Sequence, residues 1–364
     1  MIEYKAAKVI DVYSLDENVD EVILDIEHNS KKAYNYKKMT GNVDIGDEVL
    51  VNTTACSLKL GTGGYHFIIA NLDNLEKQMN NWGHGMKLKY TPQQVHVSFC
   101  EEEDSPYHFL FQKRLKLQGK IVYIGELHSM LLPLCAYLKY NKRNIKISCI
   151  ITDHGALPVF FSKNIRILKS LKLLDGTISI GNAFGGDYEC VNIYTGLQMA
   201  FDILKADVTI ITMGPGIMGT GTHFGFSSLE MGFYVNFIKN NEGKVLYIPR
   251  ISFKDSRDRH YGISHHTLNI LSYIVDVQIH IVLPIMKKNK VNFVMRQLKD
   301  YNLINRFPII FRSGRGIVDS LKYFNLNPDT MGRGFKEEKD FFYAIGAVGK
   351  YGLSLLTNTY KKSH

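Results

Sequence analysis

Ala206-Asp207-Val208-Thr209-Ile210-Ile211-Thr212 runs into Met213-Gly214-Pro215-Gly216-Ile217-Met218-Gly219-Thr220-Gly221-Thr222-His223-Phe224-Gly225-Phe226, then into Ser227-Ser228-Leu229-Glu230 and a helical stretch. A β-branched run, a glycine-rich loop and a helix in that order read as one strand–loop–helix unit. Ser227 and Glu230 have the spacing of a capping box at the helix start. Glycines before a helix bring backbone N–H groups to an open surface, which suits a phosphate or another anion. Gly214, Gly216, Gly219, Thr220 and Thr222 are therefore candidate anion ligands.

The same alternation extends to both sides. Short apolar runs predict strands at Ile121–Ile124, Ile147–Ile151, Thr177–Ile180, Val208–Thr212, Val245–Ile248 and Ile279–Leu283, with helices between them. From Asn192 to Lys205, Ile193, Leu197, Phe201 and Leu204 form one apolar stripe. This order predicts an α/β domain over 117–350, a Rossmann-like, doubly wound, mostly parallel sheet. A last unit from Phe307 either completes the sheet or stands as an appendage. Residues 1–70 alternate apolar and polar positions between turns such as Thr40-Gly41-Asn42, and predict a small all-β, barrel-like domain. Residues 71–116 read as a connector with short strands near 85–90 and 94–99; its acidic run Glu101–Asp104 reads as a solvated loop. Residues 351–364 read as a tail.

Ligands of an open parallel sheet bind beyond the carboxyl ends of its strands. The loops expected there carry Glu126 and His128, then Asp153 and His154, then Asn182, Asp187 and Glu189, then the glycine loop with His223, then Arg250 and His265-His266. Five such loops on one edge predict a pocket of carboxylates, imidazoles and hydroxyls. Asp153, Asp187, Glu189 and His223 are the candidates for chemistry. Glu126, His128, Arg250 and His265 join the glycine loop for ligand binding. Asp153, Asp187 and His223 are the candidate ligands of a divalent metal. Each has a structural reading as well: Asp153 as a helix cap, Asp187 as a turn residue. His265 and His266 stand about 100° apart on a helix, so at most one faces the pocket.

Gly214-x-Gly216-x-x-Gly219 formally fits the dinucleotide fingerprint, but Pro215 interrupts it and the helix begins only at Ser227. The next strand ends in Pro249-Arg250, with no carboxylate for a ribose, so NAD(P) is disfavoured. No Lys-Ser or Lys-Thr follows the glycines, and no Gly-x-Ser-x-Gly occurs. Gly61-Thr62-Gly63-Gly64-Tyr65-His66-Phe67 echoes the loop at Gly219–Phe224 and suggests a lid or second wall over the pocket.

The 364 residues suffice for two domains, and 45% hydrophobic content suits a packed chain. No apolar run reaches the ~18 residues of a membrane span, and the start Met1-Ile2-Glu3-Tyr4-Lys5 has no secretory h-region. A cytoplasmic protein is expected. Five cysteines without a Cys-x-x-Cys pair read as buried free thiols. The net charge of +9 is scattered; it favours anionic ligands but carries no aromatic–basic signature, so nucleic acid is disfavoured. The expected function is an enzyme acting on a phosphorylated or nucleotide-like small molecule by metal-assisted hydrolysis. The alternatives are a non-catalytic sensor of an anionic metabolite and an NAD(P)-binding protein. Oligomeric state, homo-oligomers included, is open.

Asn52-Thr53-Thr54-Ala55, Gly61–Phe67, Glu101–Pro106, Leu127-His128-Ser129-Met130, Thr152–Pro158, Ala183–Asp187, Met213–Thr222 and Pro249–Phe253 together resemble a bacterial family known only as a domain of unknown function. The resemblance spans residue 2 to about 349. It implies a distribution among Gram-positive bacteria, spore formers included, and brings no activity. Members more often carry Gly at His154 and His at Asn182, which argues against these two as catalysts.

Overall fold

A computed structural model describes residues 1–61, 63–77 and 82–360. It divides into two compact units: Met1–Asn81 with Lys89–His96, and Trp82–Leu88 with Val97–His364. The Gly61–Phe67 echo includes Thr62, which lies outside the described residues.

The first unit is a closed barrel of β1 (Tyr4–Ser14), β2 (Val19–Ile26), β3 (Asn29–Tyr36), β4 (Glu48–Asn52) and β5 (Tyr65–Asn71) in the order β1-β2-β3-β5-β4. Period-2 alternation sends Val22, Leu24, Ala33, Val49, Val51 and Ile68 inward. β1 pairs with both β2 and β4, and β3 runs parallel to β5. On the other face of β3 and β5, Tyr34 and Tyr65 stack at 4.3 Å.

The second unit is built on six parallel strands: β6 (Ile121–Gly125), β7 (Ile147–Thr152), β8 (Gly176–Ser179), β9 (Tyr188–Glu189), β10 (Val208–Met213) and β11 (Lys244–Ile248). Their order is β9-β8-β7-β10-β6-β11. Residues of β6, β7 and β10 alternate between two apolar layers. Val122, Ile150 and Ile211 join the layer of helices 193–203 and 230–240; Tyr123, Cys149 and Ile210 join the layer of helices 131–141 and 163–170. Burial on both faces explains why these strands read as continuous apolar runs.

Ile279–Leu283, expected in this sheet, is not its sixth strand. Ile281–Pro284 pairs with Ile309–Arg312 in a separate two-stranded sheet, and the place falls to Tyr188–Glu189, too short to carry a sequence pattern. The stripe from Ile193 to Leu204 is helical, with Asn192 and Thr195 forming a capping box, and its last turn widens to a π-helix over Met199–Ile203. Residues 351–360, set apart as a tail, continue the helix Lys339–Tyr360, which buries Phe341, Phe342, Ile345, Val348 and Tyr351. Glu101 and Glu102 do more than solvate a loop: Glu101 accepts from the amide of Val191, and Glu102 from those of His84 and Phe99. Cys100, Cys135, Cys149 and Cys190 are buried free thiols, and the Cys56 thiol donates to the Tyr65 carbonyl. No described helix is long and apolar enough to cross a membrane.

Candidate functional site

From β7 the chain leaves towards β8; from β10, its neighbour, it leaves the other way, towards β11. Such a reversal opens a crevice at the carboxyl ends of the two strands. The loops after β7 and β10 meet there backbone to backbone. A Cβ on Gly214 would stand 2.2 Å from the Ala156 carbonyl oxygen, and one on Gly155 2.3 Å from that of Gly214. The Ala156 amide donates to the Pro215 carbonyl at 2.8 Å. Gly214 is thus a packing glycine.

Asp153, His154 and Glu230 converge beside this seam, with donor atoms all within 4.8 Å of one another. The capping box expected of Ser227 and Glu230 is absent. Ser227 Oγ accepts from the Met218 amide, while Glu230 accepts from the Thr152 hydroxyl and from Tyr234 at 2.9 Å. Tertiary partners at the end of β7 outcompete the local cap. Burial pushes the Glu230 carboxyl up, against the pull of Thr152 and His154. His154 Nδ1 lies 3.8 Å from Glu230 and 3.1 Å from the Ser227 carbonyl. Asp153 accepts from the Asn182 amide at 3.1 Å.

The glycine loop divides into two parts. Thr220 and Thr222 close it on itself: their hydroxyls lie 3.0 Å apart, and the Thr222 hydroxyl also accepts from the Gly225 amide. Gly219 bridges to Phe226. The exposed stretch before the bridge is open, with nothing within 4 Å of a Cβ on Gly216 and its φ at +99°. Its amides suit an anion; the two threonine hydroxyls are already engaged.

A second polar cluster adjoins the same loop. Glu126 is fully buried and accepts from Tyr247 at 2.8 Å and from Thr267, while its Oε2 has no partner. Burial raises its pKa to about 7. Arg250 is buried, 3.3 Å from Asp255. Asp255 also binds Arg257 and Arg333, and hydrogen bonds from Arg257 hold its carboxyl far below the usual range. His265 sits with His260 and His266, and His266 stacks on Phe226 at 4.0 Å. Phe226 and Ser227 are consecutive, so the two clusters border one segment.

Three predicted residues, Asp187, Glu189 and His128, lie apart from these clusters, and His223 lies beside the histidines of the second. Asp187 faces Thr177 at the amino end of β8, the wrong edge. It accepts from the Thr177 amide and hydroxyl and pairs with Lys169 at 2.5 Å. Burial pushes its carboxyl up, but Lys169 and Thr177 outweigh that and hold it low. Glu189 is bound by the buried Lys87 at 2.7 Å, by Ser179 and by the Gly185 amide. Both Nδ1 and Nε2 of His128 are engaged, with the Met213 carbonyl and Ser162 Oγ, and burial lowers its pKa to about 4. His223 is exposed, its carbonyl accepting from Asn269. Asp187 and His223 therefore do not join Asp153 as metal ligands. Sequence reasoning missed Glu230, read as a cap, and passed over His260 and Lys87; the close pair Asp153-His154 was the only local signal.

A family model described as "Protein of unknown function (DUF3866)" matches residues 32–349, and the chain belongs to that family. No curated protein matches the chain.

Proposed function

We propose that this member of the DUF3866 family is a cytoplasmic enzyme that hydrolyses a phosphorylated or nucleotide-like small molecule with the help of a divalent metal, in a Rossmann-like, doubly wound domain. One observation carries the reading: Asp153, His154 and Glu230 meet beside the open Gly216 stretch at the switch between β7 and β10. Two carboxylates and an imidazole suit a hydrolytic divalent ion, which lowers the pKa of a bound water. The amides around Gly216 would hold the anionic group against that water.

The test is thermal stability against nucleotides, sugar phosphates and divalent metals, followed by turnover of each hit. A ligand at ~100 times its Kd stabilises by about 2.7 kcal/mol. Turnover lost in Asp153→Asn and Glu230→Gln, with anion binding kept, supports hydrolysis. Binding without turnover in the wild type makes the protein a sensor. No response to any phosphorylated compound removes the reading.

A second reading rests on the barrel. Tyr36 and Phe67 extend the Tyr34–Tyr65 stack, and Lys32 lies 5.6 Å over the Tyr65 ring. Aromatic and basic groups side by side suit single-stranded nucleic acid. Oligonucleotide binding that falls steeply with salt supports it, and absence of binding removes it.

A further inference from the structure

His260, His265 and His266 are brought together by a tight turn. His260 ends the 3-10 turn Asp258–His260, and the other two open the helix His265–Asn269 after Ser264. A ring nitrogen of each lies within 4.8 Å of the others. His260 and His266 are 2% and 4% exposed. Two rings are already oriented: His260 Nδ1 lies 2.8 Å from Ser264 Oγ, and His265 Nδ1 lies 3.2 Å from the Arg259 carbonyl. A ring that donates its Nδ1 proton to a carbonyl presents an Nε2 lone pair, which is how metal-binding histidines are held. Nε2 of His265 and Nδ1 of His266 are both buried without a hydrogen-bond partner. Two unpaired buried nitrogens on neighbouring rings are costly unless something binds them.

We propose that His260, His265 and His266 form a binding site for a zinc-class divalent transition metal, with one coordination position left to water or an anion. Three nitrogen donors select zinc, cobalt, nickel or copper over magnesium and calcium. Nitrogens around a tetrahedral zinc stand about 3.4 Å apart at bonds of ~2.1 Å, so small ring torsions close the site. A metal ligand must be a neutral imidazole with a free ring nitrogen. The nearby cations are compensated in part: Arg250, Arg257 and Arg333 share the Asp255 carboxylate, Arg333 also pairs with Glu338, and Arg259 is exposed. Stacking on Phe226 fixes the plane of His266, and Gly219 leaves room beside it, since even a Cβ there would be 3.5 Å from the ring. This site is separate in chemistry from the oxygen-rich Asp153–His154–Glu230 group and stands whether or not the protein hydrolyses anything.

The test is titration of the metal-free full-length protein with Co²⁺, read by visible absorption. The expected result is the intense d–d bands of four-coordinate cobalt from one ion per chain, whatever else binds, with those bands lost in His265→Asn and His266→Gln and kept in Glu230→Gln. Loss in Glu230→Gln with binding kept in the histidine variants overturns the proposal and moves the metal to the crevice. Should the histidine variants not fold, X-ray absorption of the zinc-loaded wild type decides. Three imidazoles in the shell support the site; a single imidazole, or no zinc bound, overturns it.

Discussion

Lys87 and Glu189 form an ion pair inside the second unit, and breaking it should unmask a buried charge. Lys87 is 1% exposed, and its ammonium donates to Glu189 at 2.7 Å and to the carbonyls of Ala183 at 2.5 Å and Ser179 at 3.2 Å. Lys87→Met leaves Glu189 with only Ser179 Oγ and the Gly185 amide. Losing one partner of a buried pair costs about 3–5 kcal/mol. Glu189→Gln keeps an acceptor for the Gly185 amide, lets its new NH2 donate to Ser179 Oγ, and leaves the ammonium on two carbonyls, for about 3 kcal/mol. In the Lys87→Met background the same change removes an uncompensated charge and should cost about zero, a coupling of roughly 3 kcal/mol. The pH dependence has a definite sign. Burial already pushes the Glu189 carboxyl up, and without Lys87 it rises further. A folded pKa above the unfolded value of ~4.3 means stability is lost as pH rises through that range. Lys87→Met should therefore lie closest to the wild type at acid pH, where the carboxyl is protonated in both states, and fall further below it as pH rises. Urea unfolding followed by Trp82, the only tryptophan and part of the same unit, measures this. Additive effects, or turnover lost in Glu189→Gln at unchanged stability, would refute the reasoning and return Glu189 to the list of reacting groups.

Glu126→Gln should flatten the pH dependence of stability. The wild-type carboxyl titrates at about 7 instead of 4.5, so about 3 kcal/mol is lost between those values and stays lost above them, as urea midpoints across pH will report. Gly214→Ala drives a Cβ into the Ala156 carbonyl and should cost 3 kcal/mol or more, about what the strongest packing faults do. Gly221→Ala, with φ at +80° and no atom within 4 Å, should cost only ~1–2 kcal/mol; comparable melting temperatures for the two would contradict the seam between the loops. Asp187→Asn should cost about 1 kcal/mol, because its pair with Lys169 is 40% and 41% exposed, and it should leave metal and anion binding unchanged.

The strands β6, β7, β8, β10 and β11 were legible because burial on both faces writes each as an apolar run, and Asn192 announced its helix because a cap is a local bond. The barrel was legible from alternation, the glycine loop from its composition. Asp153 could be named because a polar residue right after an apolar strand falls on the carboxyl edge whatever the strand order. Partnership could not be read this way. Asp187 also follows a strand, yet its loop turns back to Thr177 at the opposite edge. Glu230 has cap spacing, yet Thr152 and Tyr234 take its carboxylate. Lys87 gives no local sign of burial, because what neutralises it lies about a hundred residues away. The sequence by itself determined which segments are strands, which loop is open, and which residues could do chemistry, since these depend on neighbours along the chain. Only the tertiary structure decided that β10 inserts between β6 and β7, that Asp153 meets Glu230, and that three histidines face one another. Side-chain chemistry acts over a few ångströms of space, and strand order, set by packing of the whole sheet, decides which residues share that space.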